Sequence, residues 1–431
     1  MHRFLPALVP ATLLVFVVAG VAQEPKSGLN LADFEKIALE RNPAIAQAKA
    51  NSDAARGRAR QAGLYPNPTI GITGDEVKRS PVIRGGEMGV FLQQEIVLGG
   101  KLAKNKSTLD QDVLRADTEA DARRLRVLND VRAAFYKTLA AQRKVEVRDR
   151  LVALSHEAVT VSGQLKNVGQ ADVPDILEIE IEDQRAELAL ISARNELDQA
   201  WRQLAATAGD PLMKPAPLAG DIEQLPDLDL DASLSSLLRD SPEIKSAQTG
   251  VARAESALSR AQSEKIPNLD IRGGVRYNRE LLEIGQKPVG VEGFFDVGVR
   301  IPLFDRNQGG VQSARAELTA AQREVERVQL SLRFRLASAF REYLDARTAA
   351  QRYKNEMLPR AQRAYDMYLI RFRQMAAAYP QALIAQRTLI QLQAEYNETL
   401  ATAWSRAIEV RGLLLTGGLE SSGSLTKETR P

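Results

Sequence analysis

Few side chains in this sequence could carry out chemistry. Of the two histidines, only His156 lies beyond the first 22 residues, and the chain has no cysteine. A Ser-His-Asp triad or a histidine-based metal centre would depend on this one imidazole, and no Walker loop, GxSxG or HExxH motif is present. The methionines after Met1 are scattered and form no soft-metal series: Met88, Met213, Met357, Met367 and Met375. We therefore expect no enzyme, no cofactor and no metal site.

The acidic and mid-helix groups have simpler interpretations. We expect His156 to be a solvated or packing residue within a helix, and Glu178, Glu180 and Glu182 to form a solvated helix face. The 58 Lys and Arg residues nearly balance the 55 Asp and Glu residues, giving a net charge of +3. Without an RNP-like motif, a zinc finger or a basic block, this charge gives no support for a nucleic-acid partner.

The N-terminus predicts export. Arg3 precedes an apolar run from Phe4 to Val18, and Gly20 and Ala22 offer small residues at the −3 and −1 positions of a cleavage site. We predict a secretory signal peptide over residues 1–22. The alternative is a single membrane anchor, although the run is shorter than the roughly 20 apolar residues of a spanning helix. The mature chain lacks the cysteine that a lipoprotein would acylate, so we expect it in the periplasm, the outer membrane or the medium.

The chain repeats itself after about 200 residues. Because only two copies are present and each is far longer than a solenoid repeat, we interpret them as a duplication of one large unit. We place the first repeat at 23–225, the second at 226–416 and a flexible tail at 417–431. The matching pairs are Asn42-Pro43 with Ser241-Pro242, Tyr65-Pro66-Asn67 with Ile266-Pro267-Asn268, Ala134-Phe135 with Ala339-Phe340, and Pro174 with Pro380.

Each repeat is predicted to contain the same helices. A short helix ends before Asn42 or Ser241, which caps a second helix with proline at its first position. Helical hairpins then occupy 100–208 and 310–415, each with an outward helix of some 65 residues, or roughly 100 Å, and a return helix about half as long. Two apolar stripes indicate coiled-coil packing: Leu128, Val131, Phe135 and Leu139, and Leu332, Leu336, Phe340 and Leu344.

Between these helices, apolar and polar residues alternate with period two. The alternation predicts strands over about 68–75 and 88–98, and over 268–278 and 289–303. A half-buried hairpin of a soluble sheet is the alternative, but the last strand exceeds the roughly 9–11 residues that a tilted membrane strand needs. The fold class is therefore mainly α with a pair of β hairpins. Four strands cannot close into a barrel, so the chain must oligomerise or leave edges exposed.

In this order and in duplicate, these residues resemble the TolC family of outer-membrane efflux channels over about 30–416. The motifs that carry the resemblance are QAGLYPNP at 61–68, QQEIVLGGK at 93–101 and, at the matching exit of the second repeat, VRIPLFD at 299–305. The exit Leu98-Gly99-Gly100-Lys101 is similar to that of the CzcC-like branch, which is associated with efflux of divalent heavy metals.

The resemblance implies a homotrimer with a 12-stranded β-barrel in outer-membrane lipid and a coiled-coil α-helical barrel in the periplasm. It also implies two partners, a periplasmic adaptor (membrane fusion) protein and an inner-membrane pump of the resistance-nodulation-division type. The predicted function is the exit duct of this tripartite system, passing divalent metal cations to the medium. Two alternatives remain open: a drug or small-molecule duct of the same family, and a periplasmic coiled-coil adaptor or structural protein. An adaptor would carry one helical hairpin, whereas this chain has two.

The turns between outward and return helices hold the candidate site residues. The family's Val-Gly turn docks the adaptor, and Val168-Gly169 matches it; where the second turn of the family has glycine, this chain has Met375. Family members with two gating aspartates carry them at the positions of Gln381 and Ile384, so a constriction here would be neutral and partly apolar, unless these residues only pack the turn. The predicted docking residues are Val168, Gly169, Gln170, Ala171, Met375 and Ala376. The predicted entrance or constriction residues are Asp172 and Asp175, which could also simply cap a helix, with Tyr379, Gln381 and Ile384.

Overall fold

The computed structural model describes residues 28–75, 86–167, 173–281, 288–374 and 379–420, so the predicted signal peptide and the end of the predicted tail lie outside the described residues. Helices α1 (Leu31–Arg41) and α2 (Pro43–Ala62) precede strands β1 (Thr69–Asp75) and β2 (Glu87–Ile96), which lead into α3 (Lys101–Asn167) and α4 (Val173–Thr207). The second half repeats this order with α5 (Leu230–Asp240), α6 (Pro242–Ser263), β3 (Leu269–Leu281), β4 (Pro288–Val299), α7 (Gln308–Arg352), α8 (Leu358–Arg373) and α9 (Tyr379–Arg411). The predicted fold class, mainly helical with four strands and an internal duplication, is confirmed.

In each repeat, the predicted cap lies between the first helix and the second helix. The Asn42 side chain accepts a hydrogen bond from the backbone N–H of Ala44 at 2.9 Å, and the Ser241 hydroxyl accepts one from Glu243 at 3.2 Å. Pro43 and Pro242 open the following helices, where the missing N–H has no helical partner to lose. The Asn42 amide also donates to the carbonyl of Thr207 at 2.8 Å, which ties the start of α2 to the end of α4.

The two outward helices differ in continuity. Helix α3 runs unbroken for 67 residues, about 100 Å, and none of the described helices is apolar enough over sufficient length to cross a membrane. In the second half a π-helical segment, Tyr353–Met357, joins α7 to α8. Pro359 has no N–H to offer the carbonyl four residues before it, and the N–H of Leu358 donates to Tyr353, five residues back. The widened turn thus accommodates the proline without ending the helix.

The core lies where the helices of both halves meet. Phe34 of α1, Phe135 of α3 and Trp201 of α4 are buried together, with ring centroids 5.9 Å apart from Phe34 to each partner. Two residues of the predicted stripes are corrected, because the buried face follows 3.6 residues per turn. Val127 is buried and Leu128 only partly so, while Tyr343 replaces Leu344, which is exposed.

An ion-paired group joins the two halves beside this core. Glu223, in the connection between α4 and α5, pairs with Lys354 of the π-helical segment at 2.7 Å and with Arg143 of α3. Burial alone would raise the pKa of Glu223, but hydrogen bonds and charge from Lys354 and Arg143 outweigh it and lower that pKa below its usual value. The pairing therefore stabilises the folded chain above the usual carboxyl pKa of 4.5 and is lost as pH falls through the lowered pKa.

Replacing Glu223 with glutamine is expected to lower the melting temperature at pH 7. The expected loss in the free energy of unfolding is about 1 kcal/mol or less, because Glu223, Arg143 and Lys354 are all partly exposed. The difference from the unsubstituted protein should shrink as the pH is lowered through the carboxyl range, since both proteins then carry an uncharged side chain at 223. Circular dichroism melts in steps from pH 7 down to about pH 3, which lies well below the usual carboxyl pKa of 4.5, measure this. Glu255→Gln on the exposed side of α6 is the control; a deficit for Glu223→Gln that stays constant with pH would contradict the assignment.

The four strands form one antiparallel sheet in the order β1-β2-β3-β4. The central β2–β3 pair joins the two repeats, with Val90 opposite Val275. Strand β4 ends at Val299, four residues before the predicted end at 303. Val299 pairs with Leu269, the first residue of β3. Before Leu269 the chain turns at Pro267, and after Val299 the proline at 302 has no N–H to donate to a hydrogen bond between strands.

Candidate functional site

One face of the sheet is apolar and exposed. Its side chains are 43% to 80% exposed in the single chain, and the register places them on a common face, with Ile72 opposite Val90 and Val90 opposite Val275. An exposed apolar patch of this extent is typical of a surface that water does not contact, and the alternation matches a membrane strand. The residues are Ile70, Ile72, Val90, Leu92, Val275, Tyr277, Val291, Phe295, Val297 and Val299.

The opposite face of the sheet is polar and mostly acidic. Arg276 pairs with Glu87 at 2.5 Å and with Glu292 at 3.4 Å, and the guanidinium carbon of Arg272 lies 4.0 Å from the centre of the Phe91 ring. Register places six carboxylates beside these two arginines on this face: Asp75, Glu87, Glu95, Asp270, Glu292 and Asp296. The excess of negative charge would favour cations in any water that this face lines.

Glycines leave room for the large side chains of the polar face. A Cβ added at Gly71 would lie 2.6 Å from the Phe91 ring, and one at Gly274 would lie 2.7 Å from the Phe294 ring. Both distances are too short for ordinary contact. Gly71 and Gly274 therefore have a packing reason, since the polar face around them is crowded with aromatic rings.

The exit motif Leu98-Gly99-Gly100-Lys101 forms the junction between sheet and helix. Gly99 and Gly100 have φ of +72° and +67°, a conformation that glycine adopts without strain. The ammonium of Lys101 lies 2.9 Å from the Asn268 side-chain oxygen, and the Asn268 amide donates to Glu95 at 2.6 Å. Residues of both repeats thus hold the sheet on the helices, which explains why the motif sits at this position.

The structure places only some of the predicted tip residues. The docking residues Val168, Gly169, Gln170, Ala171, Met375 and Ala376, and the entrance residue Asp172, lie outside the described residues. Asp175 lies in the first turn of α4, and Tyr379 begins α9. Gln381 and Ile384 are exposed, whereas Ala382 and Leu383 between them are buried. The two exposed residues share one side of α9, so their role in a constriction stays a prediction.

The two hairpins pack together near these turns. Ile179 of α4 is buried against Ala382 and Leu383 of α9. Arg387 of α9 reaches Glu182 through two guanidinium nitrogens, one of them at 3.2 Å. The expectation that Glu182 is solvated is therefore wrong, since its side chain is only 16% exposed. Burial would raise the pKa of Glu182, but hydrogen bonds from Arg387 and Arg185 prevail and lower it.

His156 has neighbours that helix periodicity alone does not predict. Its Nε2 lies 3.0 Å from Oε1 of Glu187 and 3.3 Å from Oδ1 of Asp183, both on α4. The hairpin register could have revealed them. The pairs Lys137–Gln203 and Lys144–Glu196 are each centred on residue 170, and folding the sequence at that residue brings position 156 beside position 184.

A further exposed apolar stripe runs along α4. The buried residues of this helix, such as Ile179 and Ala186, occupy other positions, so the stripe lies outside the packing within one chain. Each of its side chains is more than half exposed, which is unusual for a helix whose surroundings are only water. The stripe consists of Val173, Leu177, Ile181, Leu188 and Ile191.

Known proteins share both this sequence pattern and this fold. The model of the family described as "Outer membrane efflux protein" matches residues 36–210 and 225–414. The cobalt-zinc-cadmium resistance protein CzcC of Cupriavidus metallidurans is 25% identical over 400 residues, which is 91% of each chain. The crystal structure of the outer membrane protein VceC from Vibrio cholerae is 17% identical with a TM-score of 0.71, covering 90% of this chain and 96% of that one. The outer-membrane channel OprN is 16% identical with a TM-score of 0.73, covering 90% of each chain.

Proposed function

Because this chain belongs to the outer membrane efflux protein family, we propose that it is the exit duct through which a tripartite system passes divalent metal cations to the medium. The predicted identity as an outer-membrane efflux channel with a helical periplasmic extension is confirmed. Related channels work with adaptors and pumps. The pump, here of the resistance-nodulation-division type, supplies the energy for transport. The duct supplies a water-filled channel and catalyses no reaction.

The acidic face of the sheet is the observation that supports a cationic substrate. Facing a barrel lumen, six carboxylates and two arginines per chain would attract cations and repel anions. The relative named for cobalt, zinc and cadmium resistance supports the same substrate class. A drug duct needs no such charge, which is why we place it second.

A homotrimer would resolve two exposed features of the single chain. Strands β1 and β4 are the edges of the described sheet, and three copies would pair each β4 with the β1 of the next chain to close 12 strands. The apolar stripe on α4 would then pack against neighbouring helices instead of water. The apolar face of the sheet would contact outer-membrane lipid.

We assign the turns of the hairpins to docking and gating. Val168, Gly169, Gln170 and Ala171, with Met375 and Ala376, would contact the periplasmic adaptor. Asp172, Asp175, Tyr379, Gln381 and Ile384 would line the entrance. The exposed positions of Gln381 and Ile384 on one side of α9 support this assignment.

Deletion of the gene tests the function directly. We expect the deletion strain to grow less than its parent on at least one of zinc, cobalt, cadmium and copper, and to recover when the intact gene is supplied. A drug panel is the matched comparison. Unchanged growth on every metal, or sensitivity to drugs alone, would reject metals as the substrate. A soluble periplasmic monomer in cell fractions would reject the duct itself.

A further inference from the structure

We propose that His156, Asp183 and Glu187 form a binding site for a divalent transition-metal ion of the zinc or cobalt class, located in the first helical hairpin. The histidine comes from α3, and the two carboxylates lie one turn apart on α4. Their donor atoms all lie within 4.8 Å of one another. Imidazole nitrogen and carboxylate oxygen are ordinary ligands for these ions.

The two distances from the imidazole nitrogen are close to those between the ligands of a tetrahedral ion. Bonds of about 2.0–2.1 Å to nitrogen and oxygen place neighbouring ligand atoms about 3.3 Å apart when the angles are tetrahedral. The Nε2 of His156 is 3.0 Å from Glu187 and 3.3 Å from Asp183. An ion could therefore bind between the imidazole and both carboxylates after side-chain rotations that place the carboxylate oxygens, now within 4.8 Å of each other, around it.

The local charge favours a cation over a plain hydrogen-bonded cluster. Within the part of the chain that the structure describes, His156 is the only basic partner in the ion pairs shown for Asp183 and Glu187. The nearby Arg185 pairs with Glu182, and Arg387 pairs with Glu182 and Glu178. With a neutral imidazole, two negative charges lie side by side, and a divalent ion would neutralise both.

The site combines one buried, hydrogen-bonded carboxylate with two ligands that solvent can reach. The hydroxyl of Ser155 donates to Oδ1 of Asp183 at 2.6 Å, and both residues are buried, so the carboxylate is oriented by a neighbour as metal ligands commonly are. The His156 and Glu187 side chains are 53% and 42% exposed. An ion can thus arrive from solvent at an ordered carboxylate.

Three protein ligands leave a fourth position for water, whereas structural zinc sites almost always have four protein ligands. The site lies about 17 Å along α3 from Asn167, near the hairpin turn. It would bind ions transiently during their passage through the duct. This transport role rests on the proposed function, whereas the binding itself does not.

Metal binding to the purified full-length protein in detergent tests the site. We expect titration calorimetry with Zn²⁺ to show one saturable ion per chain, and Co²⁺ to give the visible absorption of a tetrahedral site. His156→Ala and Glu187→Gln should each lower the affinity at least about tenfold, since changing even supporting residues costs roughly 10–100-fold. Glu180→Gln, an exposed acid on the same helix, makes the same charge change and should bind normally.

The variants must be compared as folded protein. Circular dichroism and a heat-modifiable band check this, and Glu187→Gln serves if another variant misfolds, because its side chain is half exposed. No saturable binding, or equal binding by Glu187→Gln and Glu180→Gln, would overturn the site. Growth on metals is scored separately: normal growth of the deletion strain with intact binding would reject the proposed substrate and keep the site.

Discussion

Replacing Val275 with arginine is expected to prevent assembly of the protein in the outer membrane. Val275 lies in the middle of β3, exposed on the apolar face and paired with Val90. Arginine on the lipid face near the bilayer midplane costs about 2–4 kcal/mol, and a trimer would carry three copies. We therefore expect loss of the heat-modifiable oligomer band from outer-membrane fractions, with the protein degraded or in the periplasm.

The control places the same side chain on the other face. Thr73 of β1 pairs with Gly89 on the polar face, close to Asp75 and Glu87. Thr73→Arg should assemble normally, because a new positive charge there faces carboxylates and, in the proposed barrel, water. Failure of Thr73→Arg alone would show that the faces have been assigned the wrong way round, and equal assembly of both variants would show that the apolar face does not contact lipid.

Replacing Phe135 with alanine is expected to destabilise the helical region by about 3–5 kcal/mol. The side chain is almost fully buried and contacts the rings of Phe34 and Tyr136. Its removal would leave a cavity where α1, α3 and α4 meet, and the loss is a large part of the 5–15 kcal/mol that typically separates folded from unfolded states. Thermal melts followed by circular dichroism at the helical band should show a clearly lower midpoint.

Leu212 provides the matched control for this apolar truncation. It follows α4 and is 90% exposed, so Leu212→Ala should change stability by no more than about 0.5 kcal/mol. If Phe135→Ala melted together with Leu212→Ala, the packing where α1, α3 and α4 meet would have to be different from that described.

Much of the fold could be predicted because its signals are local. Asn42 and Ser241 could be predicted as caps because their side chains can accept hydrogen bonds from the backbone N–H groups that follow. The period-two pattern of β3 and β4 reflects one apolar and one polar face of the sheet. Where the local pattern was ambiguous, the prediction shifted by one residue, as with Leu344 in place of the buried Tyr343.

The functional surfaces were harder to predict, because they join residues far apart in the sequence. Arg387 meets Glu182 across 205 positions, and the helix patterns around each residue are equally compatible with a solvated charge. The polar sheet face, by contrast, followed from alternation as soon as the strands were paired, since register fixes which residues share a face.

The sequence by itself determined the duplication, the long helical hairpins, the amphipathic strands and the family, because repeats and periodicity are written in the order of residues. Only the tertiary structure decided which side chains meet. It brought His156 beside Asp183 and Glu187, and Glu223 between Arg143 and Lys354. These contacts depend on how helices align across turns and between repeats, and that alignment is set by packing of the whole chain rather than by any local pattern.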